Sequence, residues 1–135
     1  MFQSQLRVIY GDTDQMGVVY YANYFRYFEF ARSEYLRAYG GSYREFEKTG
    51  HFLPVVEANC HYRKPARYDD LLKIGLRVTQ VRRSSATFEY EVTREGEPDV
   101  LATGHTVHVC MGKEGKAVRI PPSLLTVLEA SEQSR

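Results

Sequence analysis

The sequence predicts an α+β fold in which helices cover one face of an antiparallel sheet. Three observations carry this. An apolar stripe, Tyr24, Phe28, Ala31, Tyr35 and Ala38, recurs at i, i+4, i+7, i+11 and i+14, the spacing of one helix face. From Val56 onward the period drops to two, as it does along a strand, in several successive runs. Short breaks rich in Gly, Pro, Asp, Arg and Ser separate those runs. One long helix laid across a curved sheet buries both apolar surfaces.

The elements follow in order. Phe2 to Tyr10 reads as a strand running into an acidic turn, Gly11-Asp12-Thr13-Asp14-Gln15-Met16-Gly17. The striped helix spans Ala22 to Tyr39, and Gly40-Gly41 stops it, since glycine tolerates the left-handed cap conformation. Arg26, Glu29, Arg32, Ser33 and Arg37 mostly fall off the stripe, with Glu29 in reach of Arg26 or Arg32 at three-residue spacing. Phe25, Tyr27 and Phe30 broaden the apolar surface, so this helix is buried on more than one side. Ser42 to Lys48 forms a short second helix. Val56, Ala58, Cys60 and Tyr62 then alternate with polar neighbours, as do Leu72, Ile74, Leu76 and Val78, and Phe88, Tyr90 and Val92. Leu101 to Met111 is a last long strand. Pro122 suits the first turn of a C-terminal helix. The order is one strand, the long helix, and four strands in meander.

The 135 residues make one domain, 1–135, long enough to bury a core without staples. A net charge of +1 leaves no global field for nucleic acid or an anionic membrane. The 11 Tyr and 7 Phe, with no Trp, suggest amphipathic surfaces in a pocket or a subunit interface. Cys60 and Cys110 form no CxxC pair and read as reduced, buried thiols. No apolar run reaches the ~20 residues of a membrane span, and the first residues carry no secretory apolar segment. The expectation is a cytoplasmic protein.

The acidic turn has three readings. Asp12 or Asp14 can serve as a helix cap or turn former, though Asp14 lies too far ahead of Ala22 to cap the main helix. Asp12-Thr13-Asp14 with Gly17 also resembles the start of a calcium loop, but Met16 and Asn23 occupy ligand positions that require oxygen donors or a bidentate glutamate. The third reading is catalysis. A helix N-terminus offers unpaired N–H donors that polarise a carbonyl, and a nearby carboxylate attacks it or activates a water. Gly17 would let a ligand approach the backbone closely. No G-x-S-x-G, H-E-x-x-H or Walker loop is present. His51, His61, His105 and His108 lack metal-ligand spacing, and His105 and His108 fall on opposite strand faces.

Tyr10 to Tyr24, read as Tyr-Gly-Asp-Thr-Asp-Gln-Met-Gly-Val-Val-Tyr-Tyr-Ala-Asn-Tyr, resembles the motif of hotdog-fold acyl-CoA thioesterases, in the 4-hydroxybenzoyl-CoA thioesterase family with its YbgC-like branch. The likeness extends through Phe28-Glu29-Phe30-Ala31-Arg32 and Tyr62 to Asp70, and reaches Ile120-Pro121. It implies a five-stranded antiparallel sheet wrapped around a long helix, in a homodimer or homotetramer with active sites between subunits. It implies hydrolysis of an acyl-CoA substrate with no cofactor and no metal. Asp14 matches the catalytic carboxylate, and Tyr21 the helix N-terminal amide that polarises the thioester carbonyl. YbgC-like members carry histidine where this chain has Tyr21; the tyrosine is similar to the hydroxybenzoyl branch. Tyr10 matches a pocket tyrosine, and Arg82, Arg83, Ser84 and Arg119 fall where the family contacts CoA, arginine being suited to phosphate. Two other functions compete: a non-catalytic acyl-CoA-binding protein, and a 3-hydroxyacyl thioester dehydratase, which would need a histidine near the acidic turn.

Overall fold

The computed structural model describes residues 1–40 and 43–133. The chain runs β1 (Phe2–Arg7), a single 3-10 turn (Tyr10–Asp12), α1 (Asn23–Tyr39), α2 (Tyr43–Lys48), β2 (Val55–Tyr62), β3 (Leu71–Val81), β4 (Ser85–Arg94), β5 (Val100–Val109) and α3 (Pro122–Gln133). The first strand is shorter than its apolar pattern suggests, because the chain coils at Tyr10 before the acidic turn. Ala22 is the residue before α1, and Pro122 opens α3. Of the expected second helix, Ser42 lies outside the described residues.

The five strands form one antiparallel sheet in the order β1-β3-β4-β5-β2. The expected four-strand meander therefore holds only for β3, β4 and β5. Residues 63–70 carry the chain from β2, on the far edge, past the ends of β5 and β4 to β3. Alternation specifies which side chains share a face, not which strand lies alongside, so the sequence pattern left this crossing open.

The helix stripe does what its spacing requires. Tyr24, Tyr27, Phe28, Ala31, Tyr35 and Leu36 are buried, while Ala38, at the end of the stripe, is exposed. Phe28 stacks on Tyr90 with centroids 4.2 Å apart and planes 6° from parallel. The same ring lies over Gly104, where a Cβ would come within 2.7 Å of it and press on the Asn59 carbonyl. Glycine there lets α1 settle onto the sheet. Leu72, Ile74, Leu76 and Val78 of β3 and Ala86, Phe88, Tyr90 and Val92 of β4 supply the sheet side of the core. The Tyr35 hydroxyl donates to the Val127 carbonyl at 2.6 Å and ties α3 to α1.

The edge strand β2 is the exception. It pairs with β5 on one side, and its apolar Val55, Val56 and Tyr62 are 46%, 55% and 46% exposed. An exposed apolar edge with a free row of backbone groups invites another strand.

Candidate active site

Between β1 and α1 the chain folds back on itself. The Asp14 amide donates to the Val18 carbonyl at 2.9 Å, and the Gly17 amide to the Asp14 carbonyl at 3.0 Å. Gly17 sits at φ +79°, left-handed backbone that favours glycine. Val18 and Val19 then bridge to the 66–67 segment, fastening the turn to the loop after β2.

Asp12 is the buried anchor of this turn, only 5% exposed. Its carboxylate accepts from the Arg26 guanidinium and, at 2.9 Å, from the Tyr27 hydroxyl. Its carbonyl accepts from the Tyr20 amide at 2.8 Å and from Asn23 Nδ2 at 2.9 Å. One residue thus binds the acidic turn to the first two turns of α1. Burial, then the Asp12 bond, raises the Tyr27 phenol, which stays protonated as a donor. Sequence spacing put Arg26 beside Glu29; the structure gives it to Asp12 instead. With its carboxylate so occupied, Asp12 is not free to ligate calcium, and among the described residues no three His, Cys, Asp or Glu side chains are grouped to hold a metal.

Asp14 is half-buried and held differently. Its Oδ1 accepts from the Met16 amide at 2.9 Å and, weakly, from the Val18 amide at 3.4 Å. Its Oδ2 has no partner among the described residues. Asp14 lines a cavity of about 310 Å³ together with Met16, Val18, Val19, Tyr21, Tyr24, Tyr62, Arg63, Lys64 and Pro65. The Asn23, Tyr24 and Phe25 amides donate to the Tyr20, Tyr21 and Ala22 carbonyls. The Tyr21 and Ala22 amides have no acceptor among the described residues. These unpaired donors sit where the helix dipole adds partial positive charge.

One side of this cavity is phenolic, formed by Tyr21, Tyr24 and Tyr62. The Tyr62 hydroxyl donates to the Tyr21 carbonyl at 3.0 Å and holds β2 against the helix entrance. Burial raises the Tyr62 and Tyr24 phenols and the neighbouring Cys60 thiol, so all three stay protonated near neutrality. Among the described residues, Asp14 is the only carboxylate in the lining. Arg63 and Lys64 bring positive charge, Lys64 already paired with Asp99. Tyr62, Arg63 and Lys64 stand in the stretch that resembles the family, and the resemblance implies no role for them. Strand alternation, which turns Tyr62 to the helix side, was the available signal.

Other expected site residues lie elsewhere. Tyr10 is 78% exposed and packs edge-on to Tyr68 at 5.7 Å, outside the cavity lining. Gly17 shapes the turn, with open space where a side chain would stand. Arg82, Arg83 and Ser84 form the β3–β4 turn, and the Ile120 amide donates to the Arg83 carbonyl at 2.8 Å, bringing Arg119 to the same corner. That corner is at the opposite end of the sheet from Asp14. The 11 residues of β3 separate them, roughly 36 Å at strand rise.

Comparison with known proteins agrees with this architecture. A family profile described as "Thioesterase-like superfamily" matches residues 8–128. The acyl-CoA thioester hydrolase YbgC of Escherichia coli O157:H7 is 33% identical over 111 residues, 82% of each chain. The structure of a hypothetical protein from Aquifex aeolicus superimposes with a TM-score of 0.90 at 38% identity, covering 95% of this chain and 99% of that one. A 1,4-dihydroxy-2-naphthoyl-CoA thioesterase from Synechocystis gives 0.89 at 28% identity, covering 94% of each. The helix-on-sheet architecture, the acidic turn at the helix entrance and these matches together establish that the chain is a hotdog-fold member of the thioesterase-like superfamily, in its YbgC-like branch.

Proposed function

We propose that the chain hydrolyses an acyl-CoA thioester to the free acid and CoA. The observation that carries this is one cavity lined by both Asp14, with a free carboxylate oxygen, and Tyr21, with an unpaired amide. The thioester carbonyl oxygen accepts from the Tyr21 amide, which draws electrons from the carbonyl carbon. Asp14 then acts in one of two ways. As a base it takes a proton from water while the water oxygen bonds to the carbonyl carbon. As a nucleophile it bonds to that carbon itself, and water opens the resulting anhydride. In both, the carbon–sulfur bond breaks and CoA leaves as thiolate. A carboxylate is a weak base and a weak nucleophile, so either route needs the polarised carbonyl. An oxyanion donor of this kind typically contributes ~10²–10³ in rate. A dehydratase finds less support, since no histidine among the described residues lines the cavity.

The working unit we propose is a homodimer, itself able to pair into a tetramer. Arg82, Arg83, Ser84 and Arg119 suit the CoA phosphates, but in their own chain they lie a sheet-length from Asp14. Antiparallel pairing of two β2 edges about a two-fold axis removes that obstacle. It sets the Tyr62 end of one strand beside the Val55 end of the other, so the partner's basic corner comes to the Asp14 end. The remaining separation is about three strand spacings, ~14 Å, a distance for the pantetheine arm to bridge. The exposed Val55, Val56 and Tyr62 side chains gain cover by the same pairing.

No helix among the described residues is long and apolar enough to cross a membrane. The free Cys60 and Cys110 fit a reducing compartment, and we assign the reaction to the cytoplasm. Thiol release from a panel of aliphatic and aromatic acyl-CoA esters tests the activity; binding of the esters without release from any of them rejects it in favour of a binding protein.

A further inference from the structure

A second cavity, of about 230 Å³, lies between α1 and the Val55 end of β2. It is larger than the ~150 Å³ that holds a benzene ring in an engineered core. Leu36, Leu53, Val55 and Phe88 give it apolar walls, and Arg32, Ser33 and Glu29 of α1 give it a polar side.

Arg32 is the unexplained group there. It is half-buried, yet no carboxylate among the described residues lies within 4 Å of it. What it does have is a fixed seat. His108 Nδ1 lies 2.9 Å from the Leu53 carbonyl, which only accepts, so Nδ1 carries the proton. The neutral ring then offers Nε2 as an acceptor, and the Thr106 hydroxyl donates to it at 2.9 Å. The Thr106 oxygen in turn takes the Tyr90 hydroxyl proton at 2.7 Å. The Tyr90 oxygen is left to accept from Arg32 at 3.1 Å. Every donor in the series is assigned, and Arg32 is its head. One N–H of five is spent on Tyr90, and the cation still lacks an anion.

We propose that this cavity receives the far end of the acyl group and selects acyl chains that end in a carboxylate, bound by Arg32 and the Ser33 hydroxyl. This rests on the thioesterase reading and on β2 pairing, which sets this end of one chain beside the Asp14 end of its partner. A bidentate guanidinium–carboxylate pair is among the strongest such contacts, and partial burial strengthens it. Glu29 stands on the same side of the cavity, but it is exposed and solvent-screened, so it opposes the bound anion weakly. A hydroxyl-ended or plain alkyl chain fills the same walls and leaves Arg32 unpaired.

The test compares thiol release from hexanoyl-, 6-hydroxyhexanoyl-, adipoyl- and benzoyl-CoA by the wild type, Arg32→Met and Tyr90→Phe, each checked for folding by thermal melt. Adipoyl-CoA should exceed hexanoyl-CoA in kcat/KM by about 10- to 100-fold, the worth of a charge-assisted contact, chiefly through KM. Arg32→Met should erase that ratio, and Tyr90→Phe, which removes the seat of the guanidinium together with the donor to Thr106 while keeping the charge, should narrow it. Release from hexanoyl- or benzoyl-CoA with no adipoyl preference, equal use of the hydroxyl ester, or a preference that survives Arg32→Met overturns the inference and leaves the thioesterase reading standing. No release from any of the four esters counts against that reading itself.

Discussion

The Asp14 carboxylate accepts the Met16 amide at 2.9 Å, so the turn that presents this side chain also grips one of its two oxygens. That grip leaves Oδ2 as the oxygen available for chemistry. An asparagine can keep the Met16 bond through its own carbonyl oxygen while losing basicity and charge. Asp14→Asn is therefore expected to melt within a degree or two of wild type and to lose roughly 10²–10⁴ in kcat, the usual worth of a positioned base. Thiol-release kinetics and a thermal melt check this together, and near wild-type turnover would remove Asp14 from the mechanism.

Asp12 carries a different load. Its carboxylate is buried between Arg26 and Tyr27, and its loss strands a phenol donor against α1. Asp12→Ala is expected to destabilise the protein by about 2 kcal/mol and Tyr27→Phe by about 1 kcal/mol, in line with hydrogen bonds to charged groups. Urea unfolding measures both. Asp12→Asn should reduce turnover less than Asp14→Asn, because the turn shifts without losing the Asp14 carboxylate.

His108 makes stability depend on pH. Burial, with help from the Arg32 charge and against the Leu53 bond, pushes its pKa down to about 4, from about 6.5 in an unfolded chain. Between those values the unfolded state binds a proton that the folded state refuses, so the contribution is full above about pH 6.5 and shrinks as pH falls toward 4, by up to about 3 kcal/mol. Unfolding free energies at several points in this window should fall with acid in the wild type and fall less in His108→Gln. Equal slopes would mean the ring titrates normally.

The β2 edge tests the assembly. Val56 is 55% exposed, and a charge on an open edge discourages strand addition. Val56→Glu is expected to lower the mass seen by light scattering to that of one chain and to reduce thioester hydrolysis with it. A wild-type monomer that is fully active would sink the shared-site reading.

The helical stripe made α1 legible because burial repeats along a helix with the period of the chain itself. The faces of β3 and β4 were legible for the same reason. Neighbour relations were not: β2 lies on the far edge, and its apolar residues remain exposed, because alternation carries no information about which strand comes alongside. Side-chain partners escape local spacing in the same way. Glu29 offered Arg26 and Arg32 local partners, but Arg26 joins Asp12 and Arg32 joins Tyr90, contacts made only once distant segments meet. In the cavity, Asp14 and Tyr21 were found through the family pattern, whereas Tyr62 and Arg63 come to it only by the path of β2.

The length of β3 has a consequence for how the protein would tolerate damage. If the reactive carboxylate and the phosphate-binding corner of one chain serve different sites, two defective copies can repair each other. A chain lacking Asp14 still lends its arginines, and a chain lacking Arg82 and Arg83 still lends its acid. Mixed and re-paired, they would form hybrids with one sound site and one doubly broken one, so activity would return from two preparations that are each inert.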